Sequence, residues 1–330
     1  MRALALLLFF ASSLAAADQQ FFELKDLRIG SGAQIASCRI GFRTFGSLNA
    51  SKDNAVIFPT WFSGQTSDLE RFFAPSQLID TGRFFVIAVD ALGNGVSCSP
   101  SNVQPPMPRF TIADMVQAEY RLVTEHFGLN GAYAVAGISM GGMQTFEWIT
   151  RYPAFMKKAV PIIGSPKLTA ADLLLWQAEL STLETAEACK CDLRRAMLAV
   201  QAMHQFALYS PSWWVTAKQG ADWKALHQHL EMEAASAMDP RDWSAQLRAM
   251  MAQDVSLNAG GSMARAAAQV QAKVLVVVAE QDHMVNPVPA LEFAKGAKAE
   301  VLRLTGSCGH MATDCEAPRM IAAVRAFLAR

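Results

Sequence analysis

The sequence has no excess of charge of either sign. Its 330 residues carry 29 Lys and Arg against 29 Asp and Glu, a formal net charge of +0. It also lacks a basic run or a low-complexity tract. Electrostatic binding of nucleic acid or of an anionic membrane surface needs a surplus of Lys and Arg, so neither is expected. Beyond the N-terminus there is no long uncharged apolar run. Spanning a bilayer takes about 20 such residues, so no stable membrane insertion is expected. Cysteine is sparse, at six residues. The Cys-x-Cys pair at Cys189 and Cys191 has no matching His or Cys cluster, so no zinc site is expected. No metal or redox cofactor is implied elsewhere.

What is present supports a large core. Hydrophobic residues make up 52% and charged residues 18%. That length and balance suit one large domain, or a core with an inserted lobe. The N-terminus differs in kind. Met1 and Arg2 give a short positive start, Ala3 to Phe10 an apolar run that continues weakly to Leu14, and Ala15-Ala16-Ala17 a small-residue cleavage site before Asp18. This reads as a signal peptide over residues 1–17, hence an exported mature protein, periplasmic or secreted. An even number of cysteines in an oxidising compartment fits disulfides, with buried thiols as the alternative. Spacing does not choose the pairing among Cys38, Cys98, Cys189, Cys191, Cys308 and Cys315. A bridge from Cys308 to Cys315 would brace the segment between them.

Along the chain, strands alternate with helices. Two antiparallel starter strands are expected near 21–28 and 37–45, then a buried strand over 54–59 and a helix through 69–78. The run from Phe84 to Asp90 is continuously apolar up to its last residue, as suits a parallel strand covered on both faces. Thr111 to Asp114 is a capping-box start for a helix ending at Gly128. Further strands are expected over 132–136, 159–163, 273–279 and 300–304, with a last helix over 318–328. From 167 to 258 strand-like runs vanish and Trp, Met, Ala, Gln and Leu dominate. This reads as a helical lid between two parts of a core, 18–166 and 259–330. The overall class is α/β with a mostly parallel sheet.

The chemistry centres on Gly137-Ile138-Ser139-Met140-Gly141, a G-x-S-x-G element with an apolar strand before it and a helix after it. Strand, sharp turn and helix are the context of a nucleophile elbow. A serine hydroxyl needs a base, and the base an orienting carboxylate. Asp282 and His310 each follow a late strand, in the order Ser, Asp, His that such sheets use. Ser139 is therefore the candidate nucleophile, Asp282 the orienter and His310 the general base and acid. Glu280 and His283 are weaker rivals, His126 reads as a helix end near the C-terminal dipole, and His204, His227 and His229 read as surface or packing residues. Asp90 precedes the nucleophile and reads as a local pair or cap. An oxyanion needs two N–H donors. Met140 is expected to supply one, and the loop after strand 54–59 the other, from Phe62 rather than Trp61.

Several segments together resemble the homoserine O-acetyltransferases: Leu92-Gly93-Asn94-Gly95, Arg109 to Met115, Gly137 to Gln144, Glu147-Trp148 and Arg151-Tyr152-Pro153. The resemblance covers about 54–170 and returns at Asp282 and His310. It implies an α/β-hydrolase fold with a helical lid, and it places the family's triad on Ser139, Asp282 and His310. The departures concern the acceptor. Thr60-Trp61-Phe62 stands where the family has His-Gly-Leu. Met311 follows the histidine where the family has Asp. Leu208-Tyr209-Ser210-Pro211 lacks the Arg that grips the homoserine carboxylate, although Arg194, Arg195 or Arg241 could replace it. A bidentate Arg contact is hard to substitute.

An exported enzyme would rarely meet acetyl-CoA, and a transferase must hold its acceptor tightly to compete with water. The expectation is therefore an exported serine esterase acting on a small-molecule acyl substrate. An O-acyltransferase with another acceptor is the alternative, and a non-catalytic binding protein on the same fold a third reading. A homodimer is compatible with the sequence.

Overall fold

The computed structural model describes residues 17–104, 107–217 and 222–330. All but the last residue of the expected signal peptide lies outside the described residues. The chain starts as an antiparallel hairpin of β1 (Gln20–Arg28) and β2 (Gln34–Phe45), the second strand beginning earlier than expected. β3 (Ala55–Pro59) and β4 (Phe85–Val89) follow, and every residue of both is buried. Between them the expected helix over 69–78 is replaced by a short 3-10 helix, Thr66–Phe72. Pro75 lies inside the expected span. It has no N–H to donate, and its ring crowds the preceding turn. Phe72, Phe73, Leu78 and Ile79 are buried from a largely irregular segment instead.

Helix α1 (Ile112–Arg121) opens on the expected capping box, with Thr111 and Asp114 each accepting the other's backbone N–H. It continues as a wider turn over Leu122–His126, and Gly128, at φ +62°, releases the chain from it. β5 (Ala132–Ile138), α2 (Met140–Arg151) and β6 (Met156–Ile162) form the next unit. Among the described residues five helices then run without a strand: α3 (Ala170–Ala188), α4 (Leu193–Leu208), α5 (Pro211–Ala217), α6 (Trp223–Ser236) and α7 (Pro240–Met251). The chain returns to the sheet through α8 (Met263–Ala268), β7 (Lys273–Ala279), α9 (Val288–Gly296) and β8 (Glu300–Leu304). It ends with α10 (Ala312–Cys315) and α11 (Ala317–Ala329).

The eight strands make one sheet in the order β1-β2-β4-β3-β5-β6-β7-β8. The β1–β2 and β2–β4 pairs are antiparallel, and all later pairs are parallel. Alternation along the strands feeds two separate cores. Ala55 and Ile57 of β3 enter one, with α1 and α2, and Val56 and Phe58 enter the other, with α11. Burial on both faces explains the near-continuous apolar strands. The cysteines pair as Cys38–Cys98, Cys189–Cys191 and Cys308–Cys315.

Candidate active site

Ser139 stands between the end of β5 and the first residue of α2. Its φ is +56° and its ψ −118°, a conformation that L-residues rarely adopt. The turn is possible because its flanks have no side chains. A Cβ on Gly137 would lie 2.4 Å from the Gly141 carbonyl oxygen, and one on Gly141 2.7 Å from that of Pro59. The strand and helix thus meet backbone to backbone, and the hydroxyl is left at the carboxyl edge of the sheet.

His310 and Asp282 reach the same edge from the loops after β8 and β7. His310 Nε2 lies 2.8 Å from Ser139 Oγ, and Nδ1 lies 2.6 Å from Asp282 Oδ2. The second carboxylate oxygen of Asp282 accepts the N–H groups of Met284 and Val285, each at 2.9 Å. Both residues are buried. A carboxylate that accepts at Nδ1 fixes the proton there and leaves Nε2 free to accept the hydroxyl proton. The three residues that sequence reasoning singled out are therefore brought together in the order nucleophile, base, orienter. Gly309 permits the approach, since a Cβ there would lie 2.6 Å from the Ser210 nitrogen.

The loop after β3 faces this group. The N–H groups of Thr60, Ser63 and Gly64 are committed to Val89 O, Gln246 Oε1 and Trp61 O. No hydrogen bond among the described residues occupies those of Trp61 and Phe62. Met140 carries the first N–H of α2, and Ser139 makes no side-chain cap there. Helix N-termini favour developing negative charge. The N–H groups of Met140 and Phe62, the expected oxyanion donors, have no hydrogen-bond partner among the described residues.

Comparison with known proteins places this geometry. A family model described as alpha/beta hydrolase fold matches residues 56–314. The chain belongs to the α/β hydrolase family. An ethyl acetate hydrolase of Pseudomonas veronii is 28% identical to it over 318 residues, covering 90% of this chain and 91% of that protein. A homoserine O-acetyltransferase of Leptospira biflexa is 25% identical over 350 residues, covering 92% and 91%. The crystal structure of an acetylester hydrolase from Corynebacterium glutamicum superposes with a TM-score of 0.89 at 24% identity, covering 95% and 96%. The chain is accordingly an α/β hydrolase enzyme of the esterase or acyltransferase kind.

This hydrolase carries a cavity of about 550 Å³ above Ser139 and His310. Trp61, Phe62 and Phe72 line its core side, and Trp176, His204 and Trp243 its helical side. None of Arg194, Arg195 and Arg241, the substitutes considered for a carboxylate grip, lines it. Arg241 is held by Asp239, and Arg194 donates to the Ala237 carbonyl. Among the described residues Arg71 is the one guanidinium at this cavity, more than half exposed and paired with Asp314. Sequence reasoning did not find it.

From the sequence, His204 is expected to be a surface or packing residue. It lines the cavity and pairs through Nδ1 with buried Glu179 at 3.2 Å. His229 is exposed and His227 partly so, as that reading has it, beside Glu233 and Glu231. Asp90 is a local brace, accepting from Thr66, Asn94 and Gln19. Burial pushes its carboxyl up, and those donors oppose the shift. Glu280 turns outward to Arg303.

Proposed function

We propose that this chain is an exported serine esterase that cleaves small acyl esters through a Ser139 acyl-enzyme. The observation that carries this is the unbroken hydrogen-bonded series Ser139–His310–Asp282 at the floor of a cavity lined by aromatic side chains. Ser139 Oγ attacks the acyl carbonyl while His310 Nε2 takes its proton. The N–H groups of Met140 and Phe62 receive the oxyanion. Losing one such donor costs about 3–4 kcal/mol in the transition state. His310 returns the proton to the departing alkoxide, which leaves as the alcohol. Water then attacks the acyl-enzyme with His310 as base, and the acid departs. Asp282 holds the ring and offsets its charge when protonated.

Residues 167–258 act as the lid in this reading, inserted between core segments 18–166 and 259–330. Residues 1–17 direct export, so protein recovered from its natural host is expected to begin at Asp18. The ethyl acetate hydrolase relative supports water as the acceptor, and the cavity's guanidinium, Arg71, is already paired with Asp314. The homoserine O-acetyltransferase relative keeps a second reading open, acyl transfer to an alcohol.

The test follows acyl release from a short-chain activated ester, with a panel of alcohols that includes homoserine. Ser139→Ala and Asp282→Asn are each expected to lower kcat by roughly 10⁴-fold or more. Free acid without acylated alcohol supports the esterase. Transfer to an alcohol at low concentration would replace it with the acyltransferase. Equal rates with and without Ser139 would remove both readings.

A further inference from the structure

One polar cluster at the cavity is not used by the chemistry above. Glu179 on α3 has no exposed surface, yet it lies within the helical segment. Its Oε1 is 3.2 Å from His204 Nδ1, and its Oε2 accepts the Trp243 indole N–H at 3.1 Å. Burying a carboxylate among aromatic rings is costly unless its lone pairs are used. Here both oxygens are used, one of them to orient a histidine that lines the cavity.

The orientation has a chemical result. Glu179 Oε1 lies at Nδ1 of His204, so Nε2 is the ring nitrogen left to meet another group. No hydrogen bond among the described residues occupies Nε2. Beside it is Trp176, whose ring centre lies 6.1 Å from that of His204. Trp176 is 1% exposed and lines the same cavity, and its indole N–H is buried without a partner. A buried donor left unpaired costs about 1–3 kcal/mol. Both rings also pack on Phe62, with centres 5.6 Å and 6.2 Å from it, so the cluster borders the expected oxyanion loop.

We propose that Trp176 and His204 form a substrate subsite for a hydroxyl group. A hydroxyl oxygen accepts from the Trp176 N–H while its proton is donated to His204 Nε2. A methyl group of equal size would leave both sites unsatisfied. The preferred substrates are then hydroxylated esters, with the hydroxyl on the acyl or on the alcohol side. This rests on the esterase reading and narrows its substrate class. Glu179 acts as a positioning residue, through His204.

The experiment compares matched esters that exchange OH for CH₃. Ethyl 3-hydroxybutanoate against ethyl 3-methylbutanoate tests the acyl side. Hydroxyalkyl acetates of two to four carbons, against alkyl acetates one carbon longer, test the alcohol side. The kcat/KM ratio within a pair cancels any general loss of activity. A ratio of about ten or more is expected on one side in the native protein, since a site built for a hydroxyl discriminates strongly. Trp176→Phe and His204→Phe keep the aromatic packing and are expected to bring the ratio to about one. His204→Gln, which can still accept, is expected to restore part of it.

Affinity of the same pairs for Ser139→Ala, followed by tryptophan fluorescence, reads the preference without turnover. Loss of all esterase activity with that binding preference intact would overturn the esterase reading alone. Ratios near one on both sides, or ratios unmoved by both Phe variants, overturn the subsite.

Discussion

Glu119 is wholly buried on α1, and burial pushes its carboxyl up to about 8. The Trp148 indole N–H donates to one oxygen at 2.6 Å and opposes the shift, while the other oxygen has no partner. The ordinary value of this carboxyl is 4.5. Between that value and about 8 the folded chain holds a proton that the unfolded chain has released. Stability from this group is therefore complete below the lower value and is lost as pH rises towards the higher one. Glu119→Gln keeps an acceptor for Trp148 and removes the titration. Its melting temperature is expected to match the native protein near pH 5 and to exceed it increasingly towards pH 8, by on the order of a few kcal/mol in stability. Parallel curves would count against a neutral Glu119. Residues differ in how far their role shows in the sequence. Ser139, Asp282 and His310 were legible because each lies just past the carboxyl end of a strand, where such sheets place their chemistry. Glu119 and His204 were not, because their settings depend on partners 29 and 25 residues away that only packing brings near.

At the scale of elements, the strands were legible and one connection was not. Continuous apolar runs such as β4 and β7 can hardly be anything but buried strands. The segment after β3 carries helix-like apolar spacing, and Pro75 overrules it. Disulfide pairing was beyond spacing alone, and the pairs found differ in what they hold. Cys308–Cys315 encloses His310, a single 3-10 turn and most of α10. Cys189–Cys191 spans two residues at the exposed end of α3, away from the cavity. Closing a loop of the first size is worth about 2–3 kcal/mol in the chain-entropy account. Replacing Cys308 and Cys315 together by Ala is expected to lower the melting temperature and to reduce kcat more than it raises KM, because the base loses its fixed place. The same change at Cys189 and Cys191 is expected to leave ester hydrolysis within about two-fold. Steady-state kinetics with paired thermal melts distinguish the two, and equal effects on kcat would show that the Cys308–Cys315 bridge does not position His310.

Several polar contacts join the helical segment to the sheet, and one of them reaches the expected oxyanion loop. Gln246 on α7 is fully buried. Its Oε1 accepts the Ser63 N–H at 2.9 Å, and its Nε2 donates to the Leu92 carbonyl at 3.0 Å. Ser63 is the next residue after Phe62, so this amide fixes the loop that presents the Phe62 donor. It also ties that loop to the one after β4. In the proposed reading the helical segment thus shares in the geometry of the oxyanion site. This was not visible in the sequence, where Gln246 is one of many glutamines in a stretch read as a lid. Gln246→Leu keeps the bulk and leaves the Ser63 N–H and Leu92 carbonyl unpaired. A loosened loop forfeits part of the oxyanion interaction, which is made only in the transition state. The expected result is a fall in kcat of roughly ten- to a hundred-fold with KM changed by less than about three-fold. Gln246→Glu retains the acceptor for Ser63 and is expected to recover most of kcat even where its melting temperature falls. A variant in which stability drops while kcat holds would make Gln246 a packing residue only, and would separate the helical segment from the chemistry of Ser139.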